Sequence, residues 1–318
     1  MTAIKTVILD AKTLGDDIDL SIFNEFGETV IYPLTSQAEV IDRIKDADIC
    51  ILNKVKMTKE VISFAKKLKL ICVAATGFDN IDTDFYKENG IAICNVAGYS
   101  VNSVSQLTLA MVLSASVNLP IFRKAVADGS YSSGSVQNIL TPVYHELCGK
   151  TWGIIGFGNI GKKVGLAAEA IGCRVIVNKR EPIDGIECVS LDELLKRSDI
   201  ITVHVPLSSE TKGLIGAREI GLMKDGVFLI NVARGAVLDE KEIAAAVKNG
   251  KIGFFGCDVY SIEPMPESHP FYDIKDLDNV CLTPHMAWGA FESRMRCIGE
   301  IAENIRDFQK GGKRNRIV

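Results

Sequence analysis

Three side chains in the second half of the sequence have types suited to one reaction: Arg234 in NVARGAV, Glu263 in SIEP and His285 in TPHMAW. A histidine titrates near neutrality and exchanges a proton with an alcohol or carbonyl oxygen. A carboxylate beside it orients the ring and favours its protonated form. An arginine forks onto a carboxylate with two parallel bonds. Each residue closes an apolar run: FLINV before Arg234, FFGCDV before Glu263 and NVCLT before His285. If these runs are strands of one parallel sheet, the three side chains reach the same edge, where such sheets bind ligands. Of the other histidines, His204 inside ITVHVPL is expected to be a satisfied core residue. His145 and His269 lie in polar, proline-containing stretches without catalytic company.

A fourth element points to the same edge. GFGNIG, residues 156–161, fits G-x-G-x-x-G, follows the run TWGII and opens the helical pattern GKKVGLAAEAIG. Gly156, Gly158 and Gly161 would supply a tight turn, a close approach of backbone to a pyrophosphate, and close packing of helix on strand. The helix N-terminus adds unpaired N–H groups and a positive dipole end. A dinucleotide is the expected ligand. With a nicotinamide beside Arg, Glu and His, the chemistry becomes hydride transfer between a 2-hydroxy acid and a 2-oxo acid.

The next strand, RVIVN, ends in Asn178, Lys179 and Arg180. NAD sites usually carry a carboxylate there, which accepts bonds from the ribose hydroxyls and repels a 2′-phosphate. Asn178 has no charge to repel it, and Lys179 and Arg180 can bind it. NADPH is therefore expected over NADH, with Glu181 one step further on as the other possible ribose partner.

These residues need a scaffold. Short apolar runs alternate with amphipathic stretches twice along the chain: TVILD, ETVIY, DICIL, KLICVAA and GIAICNV, then TWGIIG, RVIVN, DIITVHV, GVFLINV, GFFGCDV and NVCLTP. This is the signature of βα units and parallel sheets. A helix is expected from about Val101 to Leu119, ended by Pro120, and another from after His285 to about Lys310. The 318 residues suggest two domains. With 47% apolar and 24% charged residues, and a net charge of −4, the chain reads as a globular protein with no affinity for nucleic acid. The start MTAIKTVILD enters a strand without a signal peptide, and 107–122 is too short and too interrupted to span a membrane. Nine scattered cysteines without a C-x-x-C pair fit core positions in a reducing cytoplasm, and no metal site is expected.

The segments ATGFDNID, NVAGYSVNSVSQ, GKTWGIIGFGNIG, VPLSSETKGLI, NVARGAVLDE, CDVYSIEP and TPHMAW together resemble the D-2-hydroxyacid dehydrogenase family over nearly the whole chain. The resemblance implies two doubly wound α/β domains. A flavodoxin-like substrate domain would comprise residues 1–100 and 287–318, and a Rossmann cofactor domain would be inserted at 101–286. It also implies a homodimer and roles at matching positions. Arg234 would bind the substrate carboxylate and polarise its carbonyl, and His285 would be the acid/base with Glu263 as partner. The backbone at Thr76 and Gly77 would receive the substrate carboxylate, and Asp258 would face the nicotinamide amide. Asn159 and Ile160 would lie at the pyrophosphate, with Val205, Pro206, Thr211, Val232 and Ala233 along the cofactor.

Many family members carry aspartate where Lys179 stands. Those that resemble hydroxypyruvate and glyoxylate reductases often carry arginine near Arg180 and use NADPH. Trp288 after the histidine resembles glycerate dehydrogenases. Formate dehydrogenases of the superfamily have glutamine in place of Glu263. The chain ends at Val318, so the regulatory extension of many phosphoglycerate dehydrogenases is not expected. Two functional classes fit: a reductase of small 2-oxo acids, and a dinucleotide-sensing corepressor-like protein on the same fold. Such corepressors carry extra tail segments, which favours the reductase here.

Overall fold

The computed structural model describes residues 4–318. The chain divides into two compact units, Met1–Ser100 with Trp288–Val318, and Val101–Ala287.

The first unit is built on five parallel strands: β1 (Lys5–Ile8), β2 (Glu28–Ile31), β3 (Ile49–Leu52), β4 (Leu70–Val73) and β5 (Ala92–Cys94). Their order is β2-β1-β3-β4-β5, the flavodoxin-like arrangement. β3 and β4 are buried at every position. That is why ICIL and LICV read as unbroken apolar runs: helices cover both faces of the sheet. Ile49 and Ile51 join one core with Cys297, Ile298, Ile301 and Ile305 of the helix Phe291–Gln309. Cys50 and Leu52, on the opposite face, join another with Val40, Ile44 and Val61. Beyond β5 the C-terminal residues run back antiparallel, with Cys94 opposite Arg316 and the Ile317 N–H donating to the Ile93 carbonyl at 2.8 Å.

The second unit holds β6 (Thr151–Ile155), β7 (Arg174–Asn178), β8 (Ile200–Val203), β9 (Val227–Asn231), β10 (Ile252–Cys257) and β11 (Val280–Leu282). They form one parallel sheet in the order β11-β10-β9-β8-β6-β7. A single parallel bridge between Val177 and Cys188 extends it past β7. Counted with that bridge, the order becomes that of a Rossmann sheet.

One expected element breaks differently. The helix from Val101 ends at Ser116, and Pro120 sits in the first turn of a second helix, Leu119–Ala127, bent 65° from the first. A first-turn proline gives up an N–H that has no helical partner anyway, so it starts the second helix rather than stopping the first. The first helix buries Val104, Met111 and Val112, while the second buries none of its residues. No single helix among the described residues is long and apolar enough to cross a membrane, although this bent pair reaches that length and composition jointly. The nine cysteines are all free, and six of them are buried.

Candidate active site

β6 runs directly into the glycine turn. Gly156 has φ +91°, and a Cβ on it would lie 2.7 Å from Val205 Cγ1 and 2.8 Å from the backbone of His204. Only glycine fits on both counts. A Cβ on Gly161 would lie 2.3 Å from the Gly156 carbonyl oxygen, so this glycine lets the helix Asn159–Ala170 close onto the turn. Gly158 caps that helix and has open space where its Cβ would project. Asn159 and Ile160 follow in the first turn, which contains no acidic residue. A bare glycine cap, open space above it and unpaired helix N–H groups make a cradle that fits a pyrophosphate.

The Gly156 N–H donates to the Asn178 carbonyl at 3.0 Å, which brings the end of β7 beside the turn. Asn178 is less available than its sequence suggested. Its amide donates to the Val189 carbonyl at 3.1 Å, leaving one N–H for a ligand. Arg180 is exposed and paired with Glu210, a residue that the sequence reading did not single out. Lys179 is exposed and makes no ion pair among the described residues.

The three chemical residues sit beyond β9, β10 and β11. Asn231, the fully buried last residue of β9, accepts the Ala233 N–H at 3.0 Å and donates to the Arg234 carbonyl at 2.9 Å. These two bonds fix the Val232–Ala233–Arg234 turn. Gly235 then lies against the next turn, where a Cβ would come within 2.1 Å of the Tyr260 backbone. In that turn Glu263 accepts the Tyr260 N–H through Oε1 at 3.0 Å, and its Oε2 lies 2.7 Å from His285 Nδ1. The carboxylate can only accept, so Nδ1–H donates, and Nε2 is the nitrogen left for exchange. His285 holds φ +53°, a left-handed conformation that few non-glycine residues adopt. Asp258 explains how it is kept there. Fully buried, it accepts Thr283 Oγ1 at 2.6 Å, the Met286 N–H at 2.9 Å and the Ala287 N–H at 2.8 Å, bracketing the histidine on both sides. Burial pushes the Asp258 carboxyl above the usual carboxylate range, against the pull of these donors.

Residues 109–287 match the family model described as "D-isomer specific 2-hydroxyacid dehydrogenase, NAD binding domain". The chain belongs to this family. It is 35% identical to a hydroxypyruvate reductase of Blautia hydrogenotrophica, over 98% of both chains. It is 34% identical to a glycerate dehydrogenase of Methylorubrum extorquens, again over 98% of both. Among solved structures, an acyclic imino acid reductase in complex with NADPH and D-Arg aligns with TM-score 0.88 at 28% identity, over 99% of this chain and all of that one.

In this D-2-hydroxyacid dehydrogenase some residues stand differently from their sequence expectation. Asp258, which the resemblance implied would face the nicotinamide amide, holds the His285 loop with its carboxylate. The Thr211 hydroxyl donates to the Pro206 carbonyl at 2.6 Å and accepts the Ser208 N–H, so it closes the turn beside Val205 and Pro206. His204 is not a satisfied core residue: both ring nitrogens are buried without a hydrogen-bond partner. Burial pulls its pKa down to about 3, so the ring is neutral at physiological pH. Thr76 and Gly77 belong to the first unit, just past β4, where Thr76 donates to the Val96 carbonyl at 2.8 Å. His145 is exposed, whereas His269 is buried and has company after all, 2.9 Å from Glu240. No group of three or more His, Cys, Asp or Glu able to hold a metal occurs among the described residues.

Proposed function

We propose that this enzyme reduces a small 2-oxo acid of the hydroxypyruvate or glyoxylate class to the D-2-hydroxy acid, with NADPH preferred over NADH. The observation that carries the reading is the Glu263–His285 contact of 2.7 Å at the edge of a sheet whose first turn is a pyrophosphate cradle. The nicotinamide supplies the hydride when bound. His285 gives its Nε2 proton to the carbonyl oxygen, Glu263 stabilises the imidazolium, and Arg234 forks onto the substrate carboxylate. Thr76 and Gly77 receive that carboxylate through their backbone. The relatives named hydroxypyruvate reductase and glycerate dehydrogenase support the substrate class. Nicotinamide absorbance with hydroxypyruvate, glyoxylate, pyruvate and bulkier 2-oxo acids tests it. No turnover with any of them would favour a dinucleotide-sensing binding protein instead.

Glu263→Gln keeps the shape and removes the charge. Reduction requires protonated His285, so the rate falls as pH rises through the titration of that ring. Without the carboxylate the imidazolium is less stable, and the fall should come at lower pH than in wild type. A pH–rate profile matching wild type would remove Glu263 from the mechanism.

The cofactor preference rests on the end of β7, which offers Lys179, Arg180 and one N–H of Asn178, and no carboxylate at those three positions. A charge-assisted hydrogen bond contributes roughly 1.5–3 kcal/mol net, so one such bond to a 2′-phosphate means a preference of about tenfold to a hundredfold. Arg180 must leave Glu210 to contribute, which places the preference toward the lower figure. Changing Lys179→Asp together with Arg180→Ser should reverse the order. The measurement is kcat/KM for both cofactors at one ionic strength. A wild type favouring NADH tenfold would make Glu181 the ribose partner.

Homodimer formation is part of the same reading. The segment that includes the second bent helix exposes Leu119, Val126, Val136, Leu140 and Val143, each at 55–72% of its surface, an apolar face suited to a second copy. We place the enzyme in the cytoplasm, where its free thiols stay reduced.

A further inference from the structure

A second histidine–carboxylate couple lies behind Glu263. Glu240 is the first residue of the helix Glu240–Lys248 and is only 9% exposed. Its Oε1 accepts the Ser261 N–H at 2.8 Å, and its Oε2 accepts the Ser261 hydroxyl. His269 Nε2 stands 2.9 Å from the same Oε2, outside the angle of a hydrogen bond. The His269 ring is buried, and its Nδ1 accepts the Phe271 N–H at 3.1 Å. An accepting Nδ1 puts the ring proton on Nε2, so an N–H edge faces the Glu240 carboxylate. The same ring meets Tyr260 edge-on, with centroids 5.8 Å apart at 87°.

A carboxylate at a helix start is stabilised by the dipole while remaining in water. Burying it costs free energy unless its lone pairs are used. Glu240 is buried nonetheless, and it gives both oxygens to Ser261. The turn it fastens is the one that holds the candidate proton-exchanging pair. The Tyr260 N–H holds one oxygen of Glu263 while the other lies on His285. The Tyr260 hydroxyl donates to the Thr283 carbonyl at 2.9 Å, two residues before the histidine. Gly235 closes the far side of the turn.

We infer that Glu240 and His269 are positioning residues for proton exchange: they fix the Tyr260–Ser261 turn and, through it, the Glu263 carboxylate against His285. This rests on the reading of Glu263 and His285 proposed above. Asp258 also acts on His285 from the packed segments, and Cys257, Tyr260 and Cys281 in turn interact with Asp258.

The test compares pH–rate profiles for 2-oxo acid reduction by the full chain as wild type, Glu240→Ala, Glu263→Gln and the double variant. Cofactor affinity and melting temperature are measured alongside. Glu240→Ala should lower kcat about tenfold to a hundredfold, the scale of a small misplacement of a reacting group, with cofactor affinity changed less than about twofold. Its loss of rate should come at lower pH than in wild type. In the Glu263→Gln background the same change should move the profile little further, because the two residues act through one path. Should Glu240→Ala not fold, Ser261→Ala removes one of the two bonds, and His269→Asn keeps an acceptor for the Phe271 N–H. Each should shift the profile less and with the same sign. A lowered melting temperature with an unmoved profile overturns the inference, as does an equal shift in both backgrounds. If Glu263→Gln itself leaves the profile in place, the catalytic reading falls first and the positioning role with it.

Discussion

Replacing His285 by Ala is expected to lower kcat for 2-oxo acid reduction by about 10²–10⁴-fold, the usual contribution of a positioned general acid. Cofactor binding should hardly change, because the glycine turn and its helix lie on β6 and make no use of the ring. The substitution also places alanine at φ +53°, a conformation that histidine tolerates better than alanine does. His285→Asn controls for this, since asparagine accepts that conformation more readily and cannot relay a proton. Both variants should bind NADPH like wild type, as measured by quenching of its fluorescence, and both should be nearly inactive. Near-wild-type turnover in either would show that His285 is not the acid.

Arg234→Lys should lower kcat/KM for 2-oxo acids by about tenfold to a hundredfold, one charge-assisted bond of roughly 1.5–3 kcal/mol. Lysine keeps the charge and loses the planar fork. The backbone around it is held by the buried Asn231, so the new ammonium stays at the same sheet edge. The loss should be specific to substrates with a carboxylate beside the carbonyl. Wild-type kinetics with lysine would mean that the fork is not used.

The sheets were legible in the sequence because both faces of each are covered, which turns strands such as ICIL and LICV into uninterrupted apolar runs. GFGNIG was legible because its spacing records two steric demands, visible at Gly156 and Gly161, and an open approach to the helix start at Gly158. Arg234, Glu263 and His285 could be placed at one edge once their strands were taken as parallel. What escaped depends on distances across the fold. Glu240 meets Ser261 across 21 positions, and Arg180 meets Glu210 across 30; no local pattern links such pairs. His269 was set aside because the neighbours that bury it come from other elements. The break after Ser116 was the exception. Asn118 followed by a proline two residues later is a helix-start signal, and it was read as a stop.

The return of the chain to β5 has a kinetic consequence. Cys94 and the Arg314 carbonyl it contacts are 220 positions apart. At synthesis rates of about 5–20 residues per second, the ribosome finishes β5 roughly 10–45 s before it makes the residues that flank it. The helix Phe291–Gln309, which covers Ile51, Cys72 and Cys94, emerges almost as late. Throughout that interval one apolar face of the first sheet has only part of its cover, from Leu14, Ile18, Phe23 and Phe26, while Val101–Ala287 is contiguous and has its own core. The half of the molecule that is translated first is therefore completed last, and the nascent chain is most exposed to aggregation and to chaperone capture at its N-terminal sheet.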